Sequence, residues 1–192
     1  MQSSKGEKLF EDFFVMGRLI FITGGARSGK SAYAVELAKG ISQEVTFIAT
    51  CIPKDQEMKE RIELHRKERP SNWKTIEEGK DVASILLETE PLCKVVIIDC
   101  LTFLISNLLL MNKDEDYIKD GILRIVDVIS HAKYTTIVVS NEVGFGIVPK
   151  NRLGRRFRDI VGIANQIIAR SSHQVYLMIS GIPIKLKEGG NG

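Results

Sequence analysis

Eight residues, GGARSGKS at 24–31, set Gly24, four residues, then Gly29, Lys30 and Ser31 in the spacing of a phosphate-binding loop, G-x-x-x-x-G-K-[ST]. Glycines let the backbone turn tightly and approach a ligand closely. Gly24, Gly25, Ala26, Arg27, Ser28 and Gly29 would then point N–H groups inward, and a following helix would add its N-terminal positive potential. Lys30 would reach the β and γ oxygens of a triphosphate, and Ser31 would offer its hydroxyl to Mg2+. The competing reading is a Gly-rich turn with an incidental Lys and Ser. A strand before the loop and a helix after it decide for the phosphate loop.

A loop of this kind needs an acid on the metal side, at the end of a neighbouring strand. Asp99 closes VVIID. As an ordinary strand-end Asp it would cap the next helix through its carboxylate; as the metal-side acid it would share Mg2+ with Ser31.

The stretch RIELHRKERP at 61–70 is a third place for chemistry. His65 lies one turn from both Arg61 and Arg69, beside Arg66 and Lys67. One reading is a solvated helix with Glu57–Arg61 and Glu63–Lys67 pairs at i,i+4. In the other, the cations disfavour imidazolium, which leaves the neutral ring a nucleophile requires. The same cations would hold a triphosphate and offset the charge of departing pyrophosphate. His131 and His173 read as structural, one at a helix end and one in a polar turn. Asn141 and Glu142 should stand at the carboxyl edge of a sheet, where open α/β sheets bind ligands. Glu142 could orient or deprotonate a substrate hydroxyl, or shape the turn. Gly144, Gly146 and Pro149 predict a shaped loop, a candidate lid. On the helix that follows, Arg155 points away from the apolar face and is expected to be solvated, while Arg156 lies at its border.

These residues need elements to position them. Apolar runs at 18–23 (RLIFIT), 45–50, 93–100, 135–140 and 175–180 read as strands, and 182–187 adds a short edge strand. Helical patterns fall at 31–40 with Gly40 as the stop, and at 55–69, 101–110, 116–132 and 153–170. Residues 68–81 read as a long surface excursion. The alternation predicts an α/β fold, a mostly parallel sheet with helices on both faces. The phosphate loop then falls between a strand and a helix, its confirming context.

Composition narrows the class. The chain has 192 residues, 44% apolar and 27% charged, which suits one domain with a sizeable core. A net charge of +3 and aromatics at 7% argue against a protein that coats nucleic acid. Three cysteines without metal spacing, Cys51, Cys93 and Cys100, predict a reducing cytoplasmic setting. No run reaches membrane-spanning length, so no stable membrane insertion is expected. Residues 1–16 read as an N-terminal extension whose Met16 is an alternative start, 17–188 as the single domain, and 189–192 as a flexible tail.

The motifs together resemble one family. ITGGARSGKS, ATCIPKDQEMKERIELHRKERPSNWKTIEE, IIDCLTFLISNLL, SNEVGFGIVPKNRLGRRFRDIVGIANQIIA and ISGIPIKLK are similar to the bifunctional adenosylcobinamide kinase/adenosylcobinamide-phosphate guanylyltransferases of cobalamin biosynthesis, over about 18–187. The resemblance implies a RecA-like P-loop fold and two reactions. A nucleoside triphosphate, ATP or GTP, phosphorylates the aminopropanol hydroxyl of adenosylcobinamide. GTP then donates GMP to that phosphate through a guanylylated histidine, releasing pyrophosphate. It implies that His65 is this histidine and that residues 24–31 hold triphosphate. It also implies that Thr50 and Cys51 line the nucleotide site, that Arg66, Lys67 and Arg69 contact phosphates, and that Glu77 and Asp99 serve nucleotide or Mg2+. A trimer is common in the family. The extension 1–16, with Phe10, Phe13 and Phe14, has no counterpart in that pattern. Two rival readings stay open: a single-function P-loop kinase with His65 silent, and a non-enzymatic RecA-like nucleotide switch that binds protein or DNA.

Overall fold

Continuous apolar runs form a sheet buried on both faces. The structure, a computed structural model, describes residues 17–53, 56, 59, 60, 63, 66, 69–89 and 93–189. The strands are β1 Leu19–Gly24, β2 Val45–Ala49, β3 Lys74–Glu77, β4 Val95–Asp99, β5 Thr135–Val139, β6 Gln174–Ile179 and β7 Ile182–Glu188. They lie in the order β3-β2-β4-β5-β1-β6-β7. Every neighbouring pair is parallel except β6 and β7, which form an antiparallel hairpin. Every residue of β1, β2 and β5 is buried, as covering both faces of a parallel sheet requires.

Side chains alternate between two cores. Leu19, Phe21, Ile48, Val96, Ile98 and Val138 face four helices: α2 Val82–Glu88, α3 Leu101–Leu110, α4 Glu115–His131 and α5 Arg152–Ser171. Ile20, Ile22, Phe47, Ile97 and Val139 face α1, Lys30–Ile41. Trp73 joins α1 there, and the Arg69 guanidinium lies 3.5 Å above the centre of the Phe47 ring. Both faces thus carry helix, as the alternation predicts.

Three helices start on side-chain caps. Asp81 accepts from the Ser84 amide at 3.1 Å, Asp114 from Tyr117 at 2.8 Å and Asn151 from Gly154 at 2.6 Å. In α5, Ile160, Val161, Ala164, Asn165 and Ile168 turn inward at helical spacing. α1 runs one residue past Gly40, so that glycine does not stop it; the Ser42 amide donates to the Ala38 carbonyl instead. Within the expected excursion 68–81 lies β3, an edge strand with one half-buried apolar residue, Ile76. Among the described residues, Gln56, Lys59, Glu60, Glu63 and Arg66 are helical, where a charged helix is expected. No described helix is long and apolar enough to cross a membrane. Residues 1–16 and 190–192 lie outside the described residues.

Candidate functional site

The carboxyl ends of the six parallel strands form one edge, and the chemistry-bearing residues collect there. β1 ends in the phosphate loop. Gly24 has φ 151°, and a Cβ there would fall 2.4 Å from the Met178 carbonyl of β6, so the loop can leave the sheet only as glycine. Arg27 takes φ 55°, and Gly29, at φ 91°, caps α1. The Ser28 carbonyl accepts from Gly181, which ties the loop to the β6–β7 turn. Lys30 is buried and donates from Nζ to the Gly25 carbonyl at 2.6 Å. Burial lowers its pKa from the ordinary lysine value, while Cys100 and Asp99 pull it back up. A phosphate within reach would offer this ammonium the countercharge that burial denies it.

Asp99 ends β4, between β2 and β5. Ser31, Glu36, Lys39, Phe47, Arg69 and Asp99 line a cavity of about 210 Å³ between α1 and these strand ends. A hydroxyl and a carboxylate on one small cavity are hard oxygen donors of the kind Mg2+ takes, with substrate phosphate and water completing its shell. No cluster of three or more His, Cys, Asp or Glu exists among the described residues.

Thr50 is fully buried. Its hydroxyl donates to the Cys100 carbonyl at 2.6 Å and accepts from the Cys100 amide at 2.8 Å. This hydroxyl therefore joins β2 to β4, and Cys51, the next residue, is half-buried. The Cys100 thiol touches the Thr102 hydroxyl at 2.8 Å, and burial pushes its pKa up to about 12. It is a packed neutral group and no nucleophile.

On the other flank Arg66 and Glu77 form an ion pair at the end of β3, both about half exposed. His65 and Lys67 lie outside the described residues. Arg66, Arg69 and Glu77 thus converge on the β2–β3 side of the edge, while Lys30, Ser31 and Asp99 hold its centre. His173 is structural: its Nδ1 accepts from the Leu19 amide at 3.1 Å, and its own amide donates to the Leu19 carbonyl at 2.8 Å. His131 sits beside Asp127 on the surface of α4.

Glu142 follows β5, next to β1. Its amide donates to the Gly24 carbonyl at 2.9 Å, and its carboxylate accepts from Gly144 at 2.9 Å. The loop after it is held at its far end by Arg155, which donates to the Pro149 and Lys150 carbonyls at 3.2 and 2.6 Å. Arg155 is exposed as expected, but it works as a clamp rather than standing solvated. Arg156 donates to the Lys113 carbonyl. Between the two anchors Phe145, Ile147 and Val148 project into solvent, 85%, 95% and 57% exposed. Two buried polar residues with structural work at this edge, Thr102 and Asn107, escape the sequence reading. Their signal is a hydroxyl and an amide inside the apolar run LTFLISNLLL.

The chain resembles known proteins in sequence and in fold. Residues 20–186 match the model of the family described as cobinamide kinase / cobinamide phosphate guanyltransferase. The chain is similar to the bifunctional adenosylcobalamin biosynthesis protein CobU of Escherichia coli (strain K12). The two are 39% identical over 181 residues, which span 88% of this chain and 99% of that one. Its likeness to the bifunctional adenosylcobalamin biosynthesis protein CobP of Pseudomonas aeruginosa is 38% over 167 residues, covering 86% and 95%. Among solved structures, the flagellar accessory protein FlaH of Methanocaldococcus jannaschii superposes with a TM-score of 0.53 at 18% identity, over 93% of this chain and 83% of that one. That likeness concerns the fold alone.

Proposed function

Because the chain belongs to the cobinamide kinase / cobinamide phosphate guanyltransferase family, we propose that it carries out both reactions at the single carboxyl edge described above, in the cytoplasm, on a corrinoid rather than on nucleic acid. ATP or GTP places its phosphates on the loop 24–31 against Lys30. Ser31 and Asp99 would hold Mg2+, which would supply charge neutralisation for the phosphates. In the first reaction the aminopropanol hydroxyl of adenosylcobinamide attacks the γ-phosphorus, the bond to the β-phosphate oxygen breaks, and the hydroxyl proton passes to water. In the second, a ring nitrogen of His65 attacks the α-phosphorus of GTP; a P–N bond forms, the α–β P–O bond breaks, and pyrophosphate leaves. A phosphate oxygen of adenosylcobinamide phosphate then attacks the same phosphorus, the P–N bond breaks, and the imidazole is regenerated with adenosylcobinamide-GDP as product. Arg66, Lys67 and Arg69 offset charge on the phosphates, Arg66 exchanging Glu77 for them.

The cavity beside Ser31 and Asp99, about 210 Å³, is below the usual size of a small-molecule pocket, so a corrin macrocycle must rest outside it. The exposed apolar tip at 145–148, anchored against the phosphate loop, is the surface we assign to the macrocycle. Homo-oligomeric assembly, a trimer by resemblance, completes the reading.

The observation that carries this function is the set of Lys30, Ser31 and Asp99 around one phosphate-loop edge, in a chain matched to the family over nearly its full length. Incubation with GTP labelled at the α-phosphate tests the covalent step. Wild type should acquire acid-labile, base-stable label, and His65→Ala should acquire none while still phosphorylating adenosylcobinamide. Label on His65→Ala would refute the histidine's role; γ-phosphate turnover with no label on wild type would leave a kinase alone.

A further inference from the structure

A second group of polar atoms lies at the carboxyl edge, on the face of the sheet away from α1. Thr23 stands one residue before Gly24, where the phosphate loop leaves β1, and Ser140 follows the last residue of β5. The register sets Ile22 opposite Val139, so Thr23 falls beside Ser140. Two residues earlier on each strand, Phe21 and Val138 belong to the core covered by α2 to α5, so both hydroxyls are carried on that same face. α5 brings Asn165 to the same place. Its Nδ2 donates to the Asn141 carbonyl at 3.1 Å, which fixes the nitrogen end of the carboxamide and leaves Oδ1 beside the strand end.

Thr23, Ser140 and Asn165 are 7%, 0% and 7% exposed. Thr23 Oγ1, Ser140 Oγ and Asn165 Oδ1 nevertheless have no hydrogen-bond partner among the described residues, and none of the three bonds another. Thr136 Oγ1 shares that condition but lies opposite Leu19, at the far end of the strands. The neighbouring polar side chains are paired. Asn141 donates to Thr102 Oγ1 at 2.8 Å, Thr102 meets the Cys100 thiol, and the Thr50 carbonyl accepts from Asn107 at 2.9 Å. The three oxygens thus end a belt of buried polar groups that is otherwise satisfied. Leaving buried oxygens without a donor is costly, and native folds rarely tolerate several together. The set holds no carboxylate, so a metal cation would lack countercharge there.

We infer that these three side chains bind one ordered water. The water donates to Asn165 Oδ1, which can only accept, and exchanges hydrogen bonds with the two hydroxyls, which can do either. It joins the end of β1 to the end of β5 and both to α5, beside the backbone bonds from Ser140 to Ile22 at 3.0 Å and from Glu142 to Gly24 at 2.9 Å.

Thr23→Val removes one hydroxyl and keeps the shape, so it separates a wet site from a dry one. Removing an unpaired hydroxyl would raise the melting temperature; removing one that holds a water should lower it by about 2–6 °C. Ser140→Ala should lower it too, and the double variant should lose less than the sum, because the second change acts on a water already loosened. A crystal structure of the full-length wild type, at a resolution that shows waters, should place one within hydrogen-bond reach of all three oxygens, and it decides the matter if neither variant folds. An unchanged or raised melting temperature in Thr23→Val would overturn the proposal. Strictly additive losses would do the same, as would density in which the three oxygens pair with other groups and no water lies between them.

Discussion

At the scale of single residues, Cys100 shows how place alters chemistry. It follows Asp99 directly, at the heart of the edge, yet it is 5% exposed and its thiol pKa is pushed up to about 12, first by burial and then by Asp99. Burial thus disfavours the thiolate that reacts with alkylating agents and keeps reagent from the sulfur. Native protein treated with iodoacetamide at about pH 8 should leave the Cys100 peptide unmodified by mass spectrometry, and denatured protein should modify it fully. Alkylation of Cys100 in native protein at the rate of a free thiol would mean that the strand ends part in solution. Linkage gives the sign of the pH effect. The folded pKa lies above the ordinary value of 9.0, so this contribution to stability is intact below about pH 9 and declines as the pH climbs toward 12. The residues with the sharpest spacing, 24–31 and Asp99, were legible without coordinates because a phosphate loop demands particular residue types in a fixed order. The hydroxyl exchange of Thr50 with Cys100 was not: it depends on the register of β2 against β4, which spacing alone does not carry.

At the scale of elements, the long apolar strands and the amphipathic α5 could be read directly from their periodicity. β3 and α2 could not. KTIE has a single apolar residue, and VASILLE is seven residues long; both exist because neighbours supply what their own sequence lacks. β3 pairs with β2 along Thr46–Ala49, and α2 buries Val82, Ala83 and Leu86 against the shared core. The loop 143–151 is the converse case: its glycines and proline announce a shaped loop, but only the structure shows two anchors with an apolar tip between them. The assigned macrocycle contact has a direct consequence there. Phe145→Ser combined with Ile147→Ser removes side chains that are almost fully exposed, so the melting temperature should hardly move. KM for adenosylcobinamide should rise about tenfold, the loss expected when some apolar ligand contact disappears, with labelling from GTP unchanged. Steady-state kinetics with corrinoid as the varied substrate measure it, and an unmoved KM would remove the tip from the corrinoid site.

At the scale of the whole molecule, the sheet is unevenly protected. Its β3 end carries the Arg66–Glu77 ion pair, and β7 closes the other end as an antiparallel edge strand whose residues are nearly all exposed. Exposed edges invite pairing with other chains, and Pro183, Lys185 and Lys187 are residue types that discourage it. The face of the hairpin is a different matter. Ile182 pairs with Ile179 and Ile184 with Leu177, so these four share one side, where Ile179, Ile182 and Ile184 are 50%, 65% and 43% exposed. An apolar stripe of this kind on a folded chain is a contact surface, and the proposed homo-oligomer supplies a second copy to cover it. Ile182→Lys with Ile184→Lys places two charges on the stripe while burying nothing new, so the fold should survive. Multi-angle light scattering should then find a single chain's mass where wild type gives a multiple of it. If the variant keeps the wild-type mass, the subunits meet elsewhere; if wild type is itself a single chain, both reactions must be completed within one copy, and the corrinoid must find all its contacts on the edge formed by β1, β4 and β5.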